Sequence, residues 1–395
     1  MQSKILPNGL RIVFVKTPSQ TVTLHATVGV GSLHETKETY GMAHFIEHML
    51  FEGTKKYTSS LALASVIENV GGEMNASTGF ERTAYYIKLL PKHFSKAVDV
   101  MAQLLQYPIF KPENIKKEKT VIISEIDMIS DDPSYYAYIL FQSTLFKNSP
   151  AEHPIAGYKH TVKTFNRDSI LTFFKTHYVP KNITLTIVGN IQNPLLLLEK
   201  AFSSPLMPIP HKLSKLHFLL TKPKTKKTDK KNNQAYVLLG YPTVPYTHKD
   251  TPILDCVEAI LGRGFSGRLF DELRNKEGLA YELTVDSETN PHFGYFVVQI
   301  SCDKKNVERC KTIMLKEFQN LKTVTKEDLS HAKNYIEGEL VLRMEDTQRQ
   351  ADRLAFLALC KAKETYLRDI KRVTLKDIQR IQKTYFKNYA LTVLT

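Results

Sequence analysis

The chain has 395 residues, 42% of them hydrophobic and 24% charged, and a formal net charge of +14. That length is too great for one ordinary core and predicts two domains, while the composition excludes a chain that is disordered as a whole. No apolar run approaches the roughly 18–20 residues of a membrane span, so no membrane partner is expected. The opening MQSKILPNGLRIVFVK lacks the apolar core of a signal peptide and reads as a strand. A cytoplasmic location is expected, with a periplasmic or organellar one left open should a targeting segment precede Met1.

The charge points toward nucleic acid only until its distribution is read. Residues 212–231 hold eight lysines and one aspartate, a net +7 that is half of the excess. Its lone aromatic, Phe218, makes no interleaved stacking series with the lysines and there is no recognition-helix pattern, so a solvated linker over 211–233 is predicted and no nucleic-acid partner. The four cysteines, Cys256, Cys302, Cys310 and Cys360, form no CxxC pair, which argues against a thiolate metal site or a disulfide framework.

On either side of the Lys-rich stretch runs a faint internal repeat. The first half predicts strands at 10–15 and 21–28, helices at 41–51 and 59–70, and a strand pair within 74–90. A series of helices follows, then a closing strand at 182–188. The second half predicts a strand at 234–240, a helix at 251–261, a strand pair at 280–288 and 293–302, long helices, and a closing TYFKNYALTVLT that resembles the end of the first half. The expected fold class is α+β: two similar domains, 1–210 and 234–395, each a mostly antiparallel sheet packed with helices.

The chemistry concentrates in YGMAHFIEHMLFEGT. Met42, Phe45, Ile46, Met49 and Leu50 give a helical apolar pattern, and Gly53 suits the position past a helix end. His44 and His48 are four apart and share one helix face, so both imidazoles can reach one ion. Glu47 is adjacent to that face and can act on a water held there as general base. The spacing alone does not require a metal, since a helix can carry these residues on a wetted face. A third ligand is therefore sought in KPENIKKEKTVIISEIDMISDDP, which predicts a long helix starting at Pro112. Glu125 stands among Val121, Ile122, Ile123, Ile126 and Ile129, where an inward carboxylate needs a partner. Glu118, seven residues earlier, reads by itself as a solvated helix glutamate.

Taken together, HFIEHMLFEGT, ENVGGEMNASTGFERTAYYIKLLP and EKTVIISEIDM resemble the pitrilysin family of inverted-motif zinc peptidases, nearest to processing peptidases and their single-chain bacterial relatives. The resemblance begins at LPNGLRIV and covers essentially the whole chain. It implies one Zn2+ per chain bound by His44, His48 and Glu125, the last lying 77 positions after His48. It also implies Glu47 as base, Glu118 as the supporting glutamate, and an edge strand at Asn75 and Ala76 that pairs with an extended substrate. In RLFDELRNKEGLAYEL it implies that Arg274 and Tyr281 grip the substrate backbone and support the oxyanion. Arg263 interrupts the family's glycine-rich run in LGRGFSGRLF, which puts the local loop contacts in question.

The function expected is a zinc-dependent endopeptidase cleaving extended or unfolded peptides inside a chamber. The expected partners are peptide substrates and a second copy of the chain, in a homodimer with composite active sites. The alternative is a catalytically silent homologue serving as a structural subunit of a processing peptidase, against which the retention of His44, Glu47, His48 and Glu125 argues.

Overall fold

The computed structural model describes residues 2–203, 220 and 222–395. The first half begins with strands β1 (Gln2–Ile5), β2 (Arg11–Lys16) and β3 (Val22–Val28), followed by helices α1 (Met42–Phe51) and α2 (Ser60–Glu68). The hairpin β4 (Glu73–Thr78) and β5 (Thr83–Leu89) comes next. Five helices follow: α3 (Phe94–Gln106), α4 (Pro112–Asp131), α5 (Pro133–Leu145), α6 (Lys159–Thr164) and α7 (Arg167–His177). Strand β6 (Ile183–Gly189) and helix α8 (Pro194–Ala201) close this half.

The second half repeats the plan. Strands β7 (Lys224–Thr228) and β8 (Ala235–Thr243) lead to α9 (Thr251–Gly262) and the short α10 (Arg268–Phe270), which runs into a wide turn of helix at Asp271–Lys276. The pair β9 (Ala280–Thr289) and β10 (Gly294–Cys302) precedes α11 (Val307–Asn320), α12 (Lys326–Arg343), α13 (Thr347–Cys360), α14 (Tyr366–Arg372) and α15 (Leu375–Tyr385). Strand β11 (Ala390–Leu394) ends the chain. One sheet has the order β1-β2-β6-β3-β5-β4 and the other β7-β11-β8-β10-β9. Each is mostly antiparallel with one parallel pair, β2 with β6 and β7 with β11. The predicted α+β class with two similar sheet-and-helix layers is the architecture found.

The compact units are not the two contiguous halves. One comprises Met1–Asp127, His153–Leu213 and Arg343–Ala362; the other comprises Met128–Glu152, Ser214–Leu342 and Lys363–Thr395. Each sheet therefore carries one long helix whose chain neighbours belong to the other unit: α13 packs on β3 and β6, and α5 on β8 and β11. Within the stretch expected to be a linker, residues 224–228 form β7, hydrogen-bonded along β11, because its backbone satisfies an otherwise bare sheet edge. Residues 211–219 and 221 of that expectation lie outside the described residues. Cys256, Cys302 and Cys310 are buried free thiols and Cys360 is half-buried, in keeping with packing roles.

In the first unit, β3 is buried on both faces. Val22, Leu24, Ala26 and Val28 join Ile183, Leu185 and Ile187 of β6 in a core that also takes Met42, Phe45, Ile46, Met49 and Leu50 of α1. That core fixes α1 against the sheet with its remaining face, bearing His44, Glu47 and His48, directed away from the packed side. Among the described residues no helix is long and apolar enough to cross a membrane.

Candidate metal centre

Helix α1 starts at Gly41, whose backbone is left-handed at φ 95° and whose Cα lies so close to Ala156 that an added Cβ would come within 2.6 Å of its carbonyl oxygen. A glycine is required there on both counts. With no side-chain cap at Gly41, the first amides of the helix are served from a distance. Glu35 Oε2 accepts from Gly41 N–H and Oε1 from Ala43 N–H, both at 2.8 Å. A carboxylate suits the positive end of a helix, although burial pushes Glu35 up to about 8 against the pull of those backbone donors. Glu35 was invisible in the sequence: it lies in a polar loop, six residues before the amide it caps.

His44 and His48 come one turn later, with ring centroids 4.7 Å apart. Helix α4 brings Glu125 against both. Its Oε1 lies 3.7 Å from His44 Nε2 and its Oε2 lies 3.6 Å from His48 Nε2. One ligand atom from each of the three residues falls within 4.8 Å of the others. Two imidazole nitrogens and a carboxylate oxygen, converging without a hydrogen bond among them, are a donor set that fits a zinc ion with one position open. Glu118, predicted as the supporting glutamate, is buried, and its Oε2 lies 3.2 Å from His48 Nδ1. This contact fixes the ring and leaves Nε2 free to face Glu125. Burial works against the charge on both partners, yet their mutual hydrogen bond prevails, so Glu118 is held below and His48 above the usual range. His44 is pushed down to about 4 by burial and by neighbouring His48, and is neutral at physiological pH as a ligand must be. Its Nδ1 is buried without a hydrogen-bond partner among the described residues.

Glu47 points to the same region from α1. Burial raises its carboxyl above the ordinary range, the Thr78 hydroxyl and His48 pull it back, and Glu125 adds to the rise. Thr78 Oγ1 donates to Glu47 Oε2 at 2.5 Å. Thr78 was missed in the sequence reading although it stands inside the quoted MNASTGF.

Asn75 and Ala76 lie on β4, which ends its sheet and alternates between exposed and half-buried positions. Among the described residues the outer ladder of β4 has no strand partner. A cleft of about 350 Å3 beside it is lined by Phe51, Glu68, Gly72, Glu73, Met74 and Asn75. The neighbouring Thr83 and Tyr85 of β5 are buried structural residues, bonded to Val30 O and to the Tyr178 hydroxyl.

Arg274 and Tyr281 belong to the second unit and are brought together there. The Arg274 guanidinium donates to the carbonyls of Tyr281 and of Ala280, the latter at 3.3 Å, and lies over the Phe270 ring. Tyr281 is 52% exposed, its hydroxyl 3.4 Å from Asp303 Oδ1. Arg263, the departure from the family's glycine-rich run, turns back onto Ser266 Oγ at 3.2 Å.

A two-layered α+β repeat with an inverted His-x-x-Glu-His helix facing a glutamate defines a class of metallopeptidase, and the comparisons agree. The chain belongs to the M16 peptidase family: residues 11–159 match the model described as Insulinase (Peptidase family M16) and residues 164–336 the Peptidase M16 inactive domain. It is 29% identical to the uncharacterized zinc protease YmxG of Bacillus subtilis over 98% of this chain and 96% of that one. It is 32% identical to a zinc protease of Rickettsia bellii over 88% of this chain and 85% of that one. Among solved structures, a protease from Helicobacter pylori matches with a TM-score of 0.91 at 23% identity, covering 100% of this chain and 99% of the other.

Proposed function

We propose that this protein is a zinc-dependent endopeptidase acting on extended or unfolded peptides. His44, His48 and Glu125 would hold one ion per chain, and the observation that carries the reading is the convergence of their ligand atoms within 4.8 Å of one another. A zinc ion held there would supply Lewis acidity toward the scissile carbonyl and toward a water able to lose a proton near neutral pH. Glu47 takes that proton as the water attacks the peptide carbonyl carbon, and returns it to the leaving amine nitrogen. Glu118 keeps the His48 ring in the tautomer that presents Nε2. The bare ladder of β4 at Asn75 and Ala76 receives an extended backbone, which favours unfolded substrates over folded ones.

The chain would work as a homodimer in which Arg274 and Tyr281 of each copy serve the zinc site of the other, a reading that rests on the family resemblance. A catalytically silent role is not favoured, since no ligand or base position has been lost.

Two measurements test this. Metal-free protein should lose peptide cleavage and regain it with about one zinc per chain; full activity in the stripped protein would reject the assignment. Glu47→Gln and Tyr281→Phe, each inactive alone, should complement when mixed and allowed to exchange subunits. Half of randomly paired dimers are mixed and each has one intact site, so activity should recover to roughly a quarter of wild type. No recovery despite demonstrated exchange would reject shared sites.

A further inference from the structure

We propose that Thr78 is a positioning residue for Glu47, and that the hairpin turn behind it is built to hold its hydroxyl still. The inference rests on the reading of Glu47 as the base. Glu47 has two carboxylate oxygens and a flexible stem, so a base role requires something to fix its orientation. The Thr78 hydroxyl takes Oε2 at 2.5 Å, and no other hydrogen bond to Glu47 is formed among the described residues. Oε1 is left free to accept a proton. A β-branched threonine on a strand has few χ1 choices, so its hydroxyl is placed as well as its backbone is.

That backbone is clamped from several sides. Thr78 is the last residue of β4, opposite Thr83, and Gly79 N–H closes the turn onto Arg82 O at 2.8 Å. Ser32 and Leu33 amides bond to the carbonyls of Gly79 and Phe80 at 3.1 and 2.9 Å, and Thr83 Oγ1 donates to Val30 O at 2.9 Å. The approach is so close that a Cβ at Gly31 would come within 2.3 Å of Gly79 O. On the far side Arg82 forks onto both Asp352 oxygens at 2.6 and 3.2 Å, with its guanidinium over the Phe356 ring. A hairpin that served only to join β4 to β5 would need none of these anchors. Held this way, the turn supplies a fixed donor to a desolvated carboxylate 31 residues away in sequence.

Thr78→Val keeps the shape and the β-branch and removes the donor. The expected result is a kcat about 10- to 100-fold below wild type, since a small misplacement of a reacting group has that cost. KM should stay within about twofold, because no contact to bound substrate is lost. Zinc content should be unchanged, and Thr78→Ser should restore most of kcat. Crystals of the zinc-free proteins supply a readout independent of turnover: the Glu47 carboxylate should leave its place in the Val variant and keep it in the Ser variant. A Val variant as fast as wild type, equal losses in Val and Ser, zinc lost in step with activity, or an unmoved Glu47 would each overturn the proposal. Glu47→Gln is measured alongside. If it cleaves normally, the reading of Glu47 as base fails first; if it is inactive while Thr78→Val is fully active, only the positioning role falls.

Discussion

Helices α13 and α5 do equivalent work on the two sheets with different chemistry. In the first unit α13 meets the sheet through polar groups. Thr347 Oγ1 lies 3.2 and 2.9 Å from the hydroxyls of Thr21 and Thr23, Asp352 Oδ1 lies 3.3 Å from His25 Nε2, and Lys88 reaches Asp346 at 2.6 Å. Its small Ala351 and Ala355, both fully buried, let it lie close. In the second unit α5 meets the sheet with aromatic rings. Phe141 packs over Gly240, where an added Cβ would come within 2.5 Å of Cζ, and beside Tyr295. Just past the helix end, Phe146 stands edge-on to Phe293 and Tyr295 at 5.4 Å. The same topology thus tolerates an ionic, hydroxyl-lined seam and one led by aromatic rings, whose polar contacts, such as Gln299 Nε2 to Ser134 Oγ at 2.6 Å and the Tyr138–Tyr295 hydroxyl pair, are between neutral groups. The polar seam is the one that anchors the turn behind Thr78 and Glu47, which suggests that its groups are placed for the site as much as for stability.

The largest effect should come from breaking the aromatic seam. Phe141→Ala removes a fully buried ring and leaves a cavity over Gly240, with a cost of about 3–5 kcal/mol in urea unfolding. A loss below about 1 kcal/mol would mean that ring packing matters less to this seam than its contacts indicate.

Asp352→Asn should cost less and should depend on pH. Burial pushes the Asp352 carboxyl up, but His25 and Arg82 overcome that and hold it well below the usual range. A depressed carboxyl contributes stability that is present above its unfolded value of roughly 3.9 and is lost as pH falls through the folded value. The gap in Tm between wild type and variant should therefore be constant from neutrality to about pH 4 and close below it. The carboxylate is 36% exposed, so salt will trim the gap. If the turn behind Thr78 depends on this anchor, kcat at neutral pH should fall as well while zinc stays bound.

How much of this was legible follows the same divide. The metal helix could be read directly, because His44, Glu47 and His48 share one turn and their face is set by local periodicity. Glu125 needed the family's spacing, and Glu118 read alone as solvated, since what buries it is a helix 70 residues away. Thr78 and Glu35 carried no local signal: each acts through a contact that exists only once sheet and helix are packed. The strand VTLHATV illustrates the limit. Its alternation describes a strand with one wet face, yet Thr23, His25 and Thr27 are all buried, because α13 arrives from over 300 residues later in the chain to cover them. The helix exchange that defines the two compact units was illegible for the same reason.

The smallest effect is the most telling about the polar seam. Thr347→Val alone removes the partner of the Thr23 hydroxyl, which is fully buried, and should cost about 1–3 kcal/mol for the group left unsatisfied. Thr23→Val alone should cost less, since Thr347 keeps Thr21 as a neighbour at 3.2 Å. The double variant replaces both hydroxyls with methyls of the same shape and converts this part of the seam to the chemistry of α5. A hydrogen bond exchanged for two apolar groups is nearly neutral, so the double variant should recover to within about 0.5 kcal/mol of wild type. Recovery would show that the hydroxyls are interchangeable with an apolar seam and that only the ions of α13 are specific. A double variant as unstable as the Thr347 single variant would mean that the hydroxyl pair itself fixes the register of α13 on β3, and with it the position of Asp352 against Arg82.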